Sequence, residues 1–266
     1  MSTSETENPI LVEHEPPLGW MIVNRPHMRN ALNFRAWQRI LEAMAELNHD
    51  PAVRVIIMRG VTPEAFISGA DISEFPSHRA NAEQARLYRS APGDATDALV
   101  TSPKPVVAMI AGICIGGGLQ VALSCDIRIA ARGTRFGIPA ARLGLAYPLD
   151  GVMSLAQIAG PANARDILMS ARIFDAEEAL RMGLITRVVE PDELESNVRD
   201  YATRMATNAP LTMAAAKATI REGLRDKSDR DLKKIAAMVG QCFDSEDYKE
   251  GVRAFLEKRP PRFQGR

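Results

Sequence analysis

Two glycine-containing segments of this 266-residue chain have the clearest potential for chemistry. They are Ala65–Ile72 and Ala111–Gln120, and each follows a short apolar run typical of a buried strand. Small residues after a strand allow backbone N–H groups to face a ligand without obstruction by side chains. In the second segment, Gly116-Gly117-Gly118 precede a predicted helix, whose N-terminus favours negative charge. The two segments therefore predict a site where backbone donors stabilise an anion; a tight structural loop at Gly69 is the alternative.

The glycine run does not fit the common nucleotide-binding patterns. A phosphate-binding loop requires G-x-x-x-x-G-K-[ST], whereas Gly112 leads to Gly117-Gly118-Leu119 without a lysine. The dinucleotide pattern G-x-G-x-x-G is also missing. No G-x-S-x-G segment occurs, and all 4 histidines precede residue 80 without the spacing of metal ligands. Neither a serine triad nor a zinc site is therefore expected.

The composition argues against several other functions. Lys and Arg total 33, as do Asp and Glu, and aromatic residues make up only 5%, so no nucleic-acid partner is expected. Glycines interrupt the uncharged stretch 105–125, which favours strand, turn and buried helix over a membrane span. The first residues lack the pattern of a secretory signal, so a cytoplasmic location is predicted. Cys114, Cys125 and Cys242 form no C-x-x-C pair and are expected to be reduced, the first two of them buried.

Strand-like runs alternate with helical ones up to about residue 190, which predicts an α/β fold. The predicted strands are Ile10–His14, Trp20–Asn24, Val53–Arg59, Val106–Ala111, Ile127–Ala131 and Ile185–Val189. The first two are expected to form a hairpin with a long loop, Glu15–Gly19. Nearly continuous helix is predicted after residue 190, so the expected domains are a core, 1–190, and a helical C-terminal lobe, 191–266.

The predicted helices have recognisable caps and apolar stripes. Asn33 is expected to cap a helix, and the apolar face of that helix is Trp37, Ile40, Leu41, Met44 and Leu47. Further helices are predicted at 81–100, 118–125, 150–158, 162–170 and 176–182. In the lobe, apolar stripes on the last two helices indicate packing on the protein's own core or on another subunit.

Together, the segments resemble the enoyl-CoA hydratase/isomerase family, also called the crotonase superfamily. The matching pieces, in order, are Asn24-Arg25-Pro26, Asn30-Ala31-Leu32-Asn33, Gly69-Ala70-Asp71-Ile72, Gly112…Gly116-Gly117-Gly118, Ser124…Ala130, Phe136-Gly137-Ile138-Pro139, Ala176…Gly183-Leu184 and Phe255–Arg259. The resemblance implies a crotonase-like spiral of ββα turns, a C-terminal helical trimerisation lobe, and assembly as a homotrimer or hexamer.

The resemblance also implies a role for each glycine-containing segment. The backbone N–H groups of Ala70 and Gly117 are expected to form an oxyanion hole for the thioester carbonyl of an acyl-CoA. The residues expected to hold the CoA part are Arg29, Ala31, Ala65, Ile67, Ser68, Gly69, Asp71, Ile72, Phe255 and Lys258. No metal is implied, and no cofactor apart from the CoA that the substrate itself carries. Asp71 is also expected to bond within its own turn, and Glu74 to face solvent.

The sequence departs from the family at the acid–base positions. Hydratases of the family use two glutamates, and the corresponding positions here are Gln120 and Ala140. Gln120 can orient a water molecule but cannot accept its proton at neutral pH. Asp150 is the candidate replacement, with a helix cap as the alternative, and Tyr147 is a candidate hydrogen-bond donor.

The expected function is therefore that of an acyl-CoA lyase or isomerase that stabilises a thioester enolate. Hydration of an enoyl-CoA or migration of its double bond is the predicted reaction. The alternatives are an acyl-CoA decarboxylase or hydrolase, for which the oxyanion hole matters more than the missing glutamates, and a non-catalytic acyl-CoA-binding protein.

Overall fold

Both glycine-containing segments leave the same edge of a parallel sheet. The computed structural model describes residues 8–78 and 80–266. Its strands are β1 Ile10–Glu15, β2 Leu18–Val23, β3 Val55–Gly60, β4 Val106–Ile110, β5 Ile113–Ile115, β6 Ile127–Ala131, β7 Arg135–Gly137, β8 Ile173–Asp175 and β9 Arg187–Val189. One sheet has the order β1-β2-β3-β4-β6-β9 and the other β5-β7-β8. Since β3 and β4 are parallel neighbours, their carboxyl ends lie side by side.

The first hairpin is tighter than predicted. Strands β1 and β2 pair antiparallel with Glu15 opposite Leu18, so the turn consists of Pro16 and Pro17 alone. The predicted long loop is therefore wrong, because β2 begins two residues earlier than the Val- and Ile-rich run indicated. All other neighbours in the six-stranded sheet are parallel.

The helices position the two segments from both sides. They are α1 Phe34–His49, α2 Phe75–His78, α3 Ala82–Tyr88, α4 Ser90–Thr101, α5 Gly117–Ser124, α6 Leu149–Ser170, α7 Ala176–Arg181, α8 Leu194–Ala206, α9 Pro210–Gly223, α10 Leu232–Asp244 and α11 Glu246–Leu256. The helix predicted at 81–100 is divided at Arg89. Conversely, the two predicted at 150–158 and 162–170 form one element with a kink at Gly160.

Helix α1 largely confirms its prediction. The Asn33 side chain caps it by accepting a hydrogen bond of 2.9 Å from the Ala36 N–H. Trp37 and Ile40 are buried as expected, whereas Leu41 is 41% exposed. Leu41 lies at the edge of the apolar stripe, beyond the width that the sheet covers.

The two faces of the large sheet have separate apolar cores. One face packs against α1, with β2 contributing Met21 and Val23. The other carries Trp20 and packs against α8, which shares its buried side chains with the sheet. Helix α8 therefore packs on the sheet, and the division of the chain at residue 190 stays a prediction. None of the helices in the described part of the chain is long and apolar enough to cross a membrane.

Candidate active site

Backbone hydrogen bonds hold the two glycine-containing segments side by side. The Ile67 N–H donates to the Ile113 carbonyl, and the Ile115 N–H donates to the Ile67 carbonyl, each at 3.1 Å. A parallel bridge also joins Leu32 to Ala70. The residues before α1, the loop after β3 and the strand before α5 therefore form one short stack of extended chain.

Close packing at this stack requires glycine. A Cβ on Gly118 would lie 2.1 Å from the Ile67 carbonyl oxygen, and one on Gly112 would lie 2.0 Å from that of Glu64. Both distances are far shorter than any van der Waals contact. The glycines therefore bring the start of α5 closer to the other segment than a side chain would allow.

The N–H groups of Ala70 and Gly117 lie together at the start of α5. The Ala70 nitrogen is 3.4 Å from the position that a Cβ on Gly117 would occupy, and the Gly117 nitrogen is 3.9 Å from the equivalent position on Gly69. Neither N–H donates to a protein acceptor within the described ranges. Two adjacent donors, one of them the first residue of a helix, can stabilise an oxyanion.

A buried ion pair fixes the Ala70 loop. The Arg25 guanidinium lies 3.0 Å from the Asp71 carboxylate and also donates to the Ala31 carbonyl. The Ser73 N–H and hydroxyl donate to the same carboxylate, which is 4% exposed. Burial alone would raise the pKa of Asp71, but the hydrogen bonds from Ser73 and Arg25 outweigh it and lower the pKa below its ordinary value. The Asp71 side chain is thus engaged within its own turn.

Two further side chains connect this loop to α1. Buried Asn30 donates from its amide to the Ala65 carbonyl at 2.7 Å. Glu74 accepts a hydrogen bond of 2.7 Å from the Phe34 N–H at the start of α1. The expectation that Glu74 faces solvent is therefore wrong: its carboxylate accepts from one of the N–H groups for which the first turn of a helix has no carbonyl partner.

The residues expected to hold CoA fall into two groups. Eight gather around the stack: Arg29 and Ile72 are exposed, Ser68 is half-buried, and Ala31, Ala65, Ile67, Gly69 and Asp71 are buried. The buried members offer a ligand little besides their backbone. Phe255 and Lys258 lie instead at the exposed end of α11, which packs against α10. Contact between these two residues and a CoA stays a prediction.

The side chains expected to act on the acyl group converge less closely. Gln120, in the first turn of α5, has a buried Oε1 atom 3.0 Å from the position of a Cβ on Gly151. The Tyr147 hydroxyl lies 3.7 Å from the Cβ position of Gly116. Ala140 is buried in the short helix Pro139–Leu143 and supplies no polar group. The start of α6 therefore packs against the start of α5.

Asp150 lies in the first turn of α6, one residue before Gly151, and its side chain is exposed. The N-cap of α6 is Pro148, and no side chain caps this helix. The alternative that Asp150 is a helix cap is therefore wrong, since the helix begins one residue before it. Its role as a proton carrier stays a prediction.

Sequence patterns missed two residues beside the site. Trp37 was expected only as a core side chain, yet its ring atom Cζ2 lies 3.3 Å from the Cβ position of Gly117. Asp97 on α4 has a pKa raised first by partial burial and then by the nearby negative charge of Asp150. Nothing in the local sequence pattern around Asp97 indicates this proximity, which depends on how α4 and α6 pack.

Cys114 and Cys125 do not supply a nucleophile. Cys114 and Cys125 are buried and unbridged, as predicted. Burial raises the pKa of the Cys114 thiol well above its usual value and that of Cys125 to about 12. Both thiols are protonated at neutral pH, and a thiol is a far weaker nucleophile than a thiolate.

Comparison with known proteins identifies the family. Residues 15–266 match the family model described as enoyl-CoA hydratase/isomerase. The chain belongs to this family. The resemblance seen in the sequence is thereby confirmed, and the chain is an enzyme of a family that acts on acyl-CoA thioesters by hydration or isomerisation.

Individual relatives cover almost the whole chain. It is 36% identical to a crotonyl-CoA hydratase of Syntrophomonas wolfei, over 96% of this chain and 97% of that protein. It is 34% identical to a short-chain-enoyl-CoA hydratase of Clostridium acetobutylicum, over 95% and 96%. The crystal structure of an enoyl-CoA hydratase/carnithine racemase from Magnetospirillum magneticum superposes with a TM-score of 0.92 at 37% identity, covering 98% of this chain and 97% of that one. The crotonase-like α/β fold is thereby confirmed.

Proposed function

We propose that this enzyme transfers a proton on an enoyl-CoA thioester, either hydrating the double bond or moving it along the acyl chain. The observation that carries the proposal is the pair of N–H groups of Ala70 and Gly117 at the start of α5. When the thioester becomes an enolate, negative charge moves to the carbonyl oxygen, which both groups would stabilise. The loss of one such donor costs about 2.7–4 kcal/mol of transition-state stabilisation in other enzymes.

Asp150 is the proposed proton carrier. It is the carboxylate in the first turn of α6, adjacent to the contact between Gly151 and Gln120. In isomerisation it would take a proton from C2 of a 3-enoyl-CoA and return it at C4. In hydration it would take a proton from water as the oxygen adds to C3, and return it to C2. Tyr147 would donate a hydrogen bond beside it, and the Gln120 amide would orient the substrate or a water molecule without taking a proton.

A homotrimer or hexamer is part of the proposal. The side chains of Leu232 on α10 and of Phe255 and Leu256 on α11 are 67–83% exposed. Their own chain leaves these apolar faces uncovered, so a second copy would bury them. The ends of α11, with Lys258, would then lie near a subunit boundary, where they would reach a CoA. A cytoplasmic location belongs to the same proposal. A sedimentation run that gives only monomer at working concentration would contradict the assembly.

An acyl-CoA decarboxylase or hydrolase is the second candidate. The observation that favours it is that Gln120 and Ala140 supply no carboxylate to the site. Those reactions depend on the oxyanion hole more than on the two glutamates. Malonyl-type and saturated thioesters, assayed by mass for loss of carbon dioxide or of CoA, separate those activities from hydration.

The test compares turnover of crotonyl-CoA and a 3-enoyl-CoA by wild type and by Asp150→Asn. We expect a fall of at least about 100-fold in kcat for the variant with an unchanged fold, the range ascribed to general acid–base catalysis. Asp200→Asn, an exposed aspartate on α8, is the matched control. Full activity of Asp150→Asn on both substrates would exclude Asp150 as the carrier. Tight thioester binding without turnover by the wild type, with activity only in a Gln120→Glu/Ala140→Glu variant, would contradict the proposed function.

A further inference from the structure

Helix α5, which begins at Gly117, ends at a buried positive charge. That charge is Arg128 on β6, whose side chain is buried. Its guanidinium donates to the carbonyls of Cys125 at 2.6 Å and of Ala122 at 3.3 Å, and its Nε donates to that of Leu184 at 2.6 Å. Cys125 is the C-cap of α5, and Ala122 lies in the last turn of the helix. Arg128 therefore binds the end of α5 opposite to the Gly117 N–H.

The Arg128 charge faces the helix rather than a carboxylate. In the described ranges, its guanidinium donates to carbonyl oxygens and forms no ion pair. Asp126, the nearest acid in the sequence, pairs instead with Lys217 at 2.8 Å and accepts from the Val106 N–H at 2.7 Å. Burial lowers the pKa of Arg128, but an arginine side chain stays protonated at neutral pH. A buried charge without an ionic partner is costly, so this one places a strong, fixed field at the end of α5.

The field of this charge has the sign that the opposite end of α5 needs. The helix has 8 residues and is about 12 Å long at 1.5 Å per residue. A cation at the carbonyl end of a helix stabilises the helix, and it also attracts an anion at the N–H end. At an effective dielectric constant of about 20, the attraction between unit charges about 12 Å apart corresponds to about a 10-fold change in an equilibrium constant.

We propose that the buried charge of Arg128 acts through α5 to strengthen the oxyanion hole formed by Ala70 and Gly117, which makes Arg128 a positioning residue for the thioester enolate. This inference rests on the proposed function and adds to it a residue at the opposite end of the helix from the substrate. It applies equally to hydration and to isomerisation, because both place negative charge on the thioester oxygen.

Helix α1 supplies a matched control. Lys104 donates from its Nζ to the carbonyls of Leu47 at 2.7 Å and of Asp50 at 2.5 Å, at the C-terminal end of α1. This helix has 16 residues and is about 24 Å long, and the Phe34 N–H at its start is bonded to the Glu74 carboxylate. Loss of the Lys104 charge should therefore affect stability without affecting the oxyanion hole.

Bound acetoacetyl-CoA measures the oxyanion hole without turnover. Its C2 proton is acidic because two carbonyl groups share the charge of the enolate, which is measured by its near-ultraviolet absorbance. At pH 8, we expect the ratio of bound enolate to bound keto form to be about 10-fold lower in Arg128→Gln than in the wild type. Arg128→Lys keeps the charge and should stay within about twofold of the wild type. Lys104→Gln should match the wild type, even where urea unfolding shows that it is less stable.

Turnover gives a second measurement. Because the charge on the thioester oxygen is largest in the transition state, Arg128→Gln should lower kcat for crotonyl-CoA by about 10-fold and leave KM within about twofold of the wild type. Arg128→Lys should restore kcat. A fall in kcat of the same size in Lys104→Gln would overturn the proposal, because it would show that any lost helix-end cation lowers turnover.

Two results with the enolate would also overturn the proposal. One is an enolate ratio in Arg128→Gln equal to that of the wild type. The other is an enolate ratio in Arg128→Lys as low as in Arg128→Gln, since the charge would then have no effect. If Arg128→Gln does not fold, Arg128→Lys decides alone: a ratio near that of the wild type supports the proposal, and a fall of about 10-fold overturns it.

The same titration distinguishes this inference from the proposed function. If the wild type binds acetoacetyl-CoA without raising its enolate fraction above that in free solution, the oxyanion hole fails, and the proposed function fails with it. If the wild type raises the enolate fraction and Arg128→Gln raises it equally, only the present inference fails.

Discussion

The two halves of the candidate site are constrained to very different degrees. The backbone half, around Ala70 and Gly117, lies between buried strands, and Gly118 leaves no room for a Cβ. The side-chain half, at the start of α6, is open: Leu149 is 72% exposed and Asp150 is exposed as well. Close packing therefore fixes where the Ala70 and Gly117 N–H groups lie, whereas the proposed proton carrier, Asp150, stands on an exposed surface.

This difference explains how one fold can host several reactions. Stabilising an enolate needs backbone donors, which cannot change without changing the chain path. Choosing the reaction needs a few side chains, for which the proposed candidates here are Gln120, Tyr147 and Asp150.

The largest effect should come from breaking the backbone half. A Cβ on Gly118 would lie 2.1 Å from the Ile67 carbonyl oxygen, so Gly118→Ala must displace backbone. We expect a loss of about 3 kcal/mol in the free energy of unfolding, measured in urea, together with loss of thioester turnover. Gly93→Ala is the control, because no atom lies within 4 Å of its Cβ position. Wild-type stability of Gly118→Ala would show that the backbone half is not constrained by this contact.

The ion pair under Ala70 should have the next largest effect. Asp71→Asn removes the charge that faces Arg25 at 3.0 Å, and we expect it to destabilise the protein by about 1–3 kcal/mol at pH 7. Because the folded-state pKa of Asp71 is lowered, this stabilisation is present above its unfolded pKa, about 3.9, and is lost as the pH falls through the folded value. Urea unfolding at pH 7 and at pH 3 should therefore show a difference from wild type that shrinks in acid.

Sequence predicted the longer strands and the glycine turns of the backbone half, but not its short strands. The strand Ile127–Ala131 has its predicted bounds, and the glycine turns lie where their spacing placed them. Strong local signals were present there: β-branched runs and glycines that only a close approach explains. By contrast, strands β5, β7 and β8 were missed, because three residues are too few to show alternation.

The remaining errors concern contacts between distant segments. Glu74 was expected in solvent and instead bonds to the start of α1, 40 residues away in sequence. Trp37 fitted the apolar stripe of α1, which concealed its contact with Gly117. The charge of Asp150 acts on Asp97 across two helices. No local pattern encodes such pairs, since they arise from the packing of elements rather than from the propensities of residues.

The charge of Asp150 in the side-chain half can be measured through its effect on the pKa of Asp97. Partial burial and the Asp150 charge raise the pKa of Asp97, so Asp150→Asn should lower it toward the ordinary value for an aspartate. Carbon-detected NMR titration of the Asp97 carboxyl measures the change directly. Asp200→Asn should leave the titration unaltered. An unchanged Asp97 pKa in Asp150→Asn would show that the two carboxylates do not interact electrostatically.

The smallest expected effect concerns His14, which lies outside both halves of the site. His14 on β1 pairs with Asp50 at 2.7 Å and with Glu46 at 3.3 Å, and hydrogen bonds to these carboxylates, Asp50 first, raise its pKa. A raised histidine pKa stabilises the fold below the unfolded value of about 6.5, and the gain is lost as the pH rises through the folded value. His14→Gln should therefore lower the free energy of unfolding at pH 5.5 and leave it unchanged at pH 9. Since the side chain is 38% exposed and solvent screens the pair, a few tenths of a kcal/mol is expected.

Thioester turnover by His14→Gln should equal that of the wild type at both pH values. A shifted pH–rate profile in this variant would mean that the surface charge of His14, and not only the groups at the start of α6, affects the pH dependence of turnover.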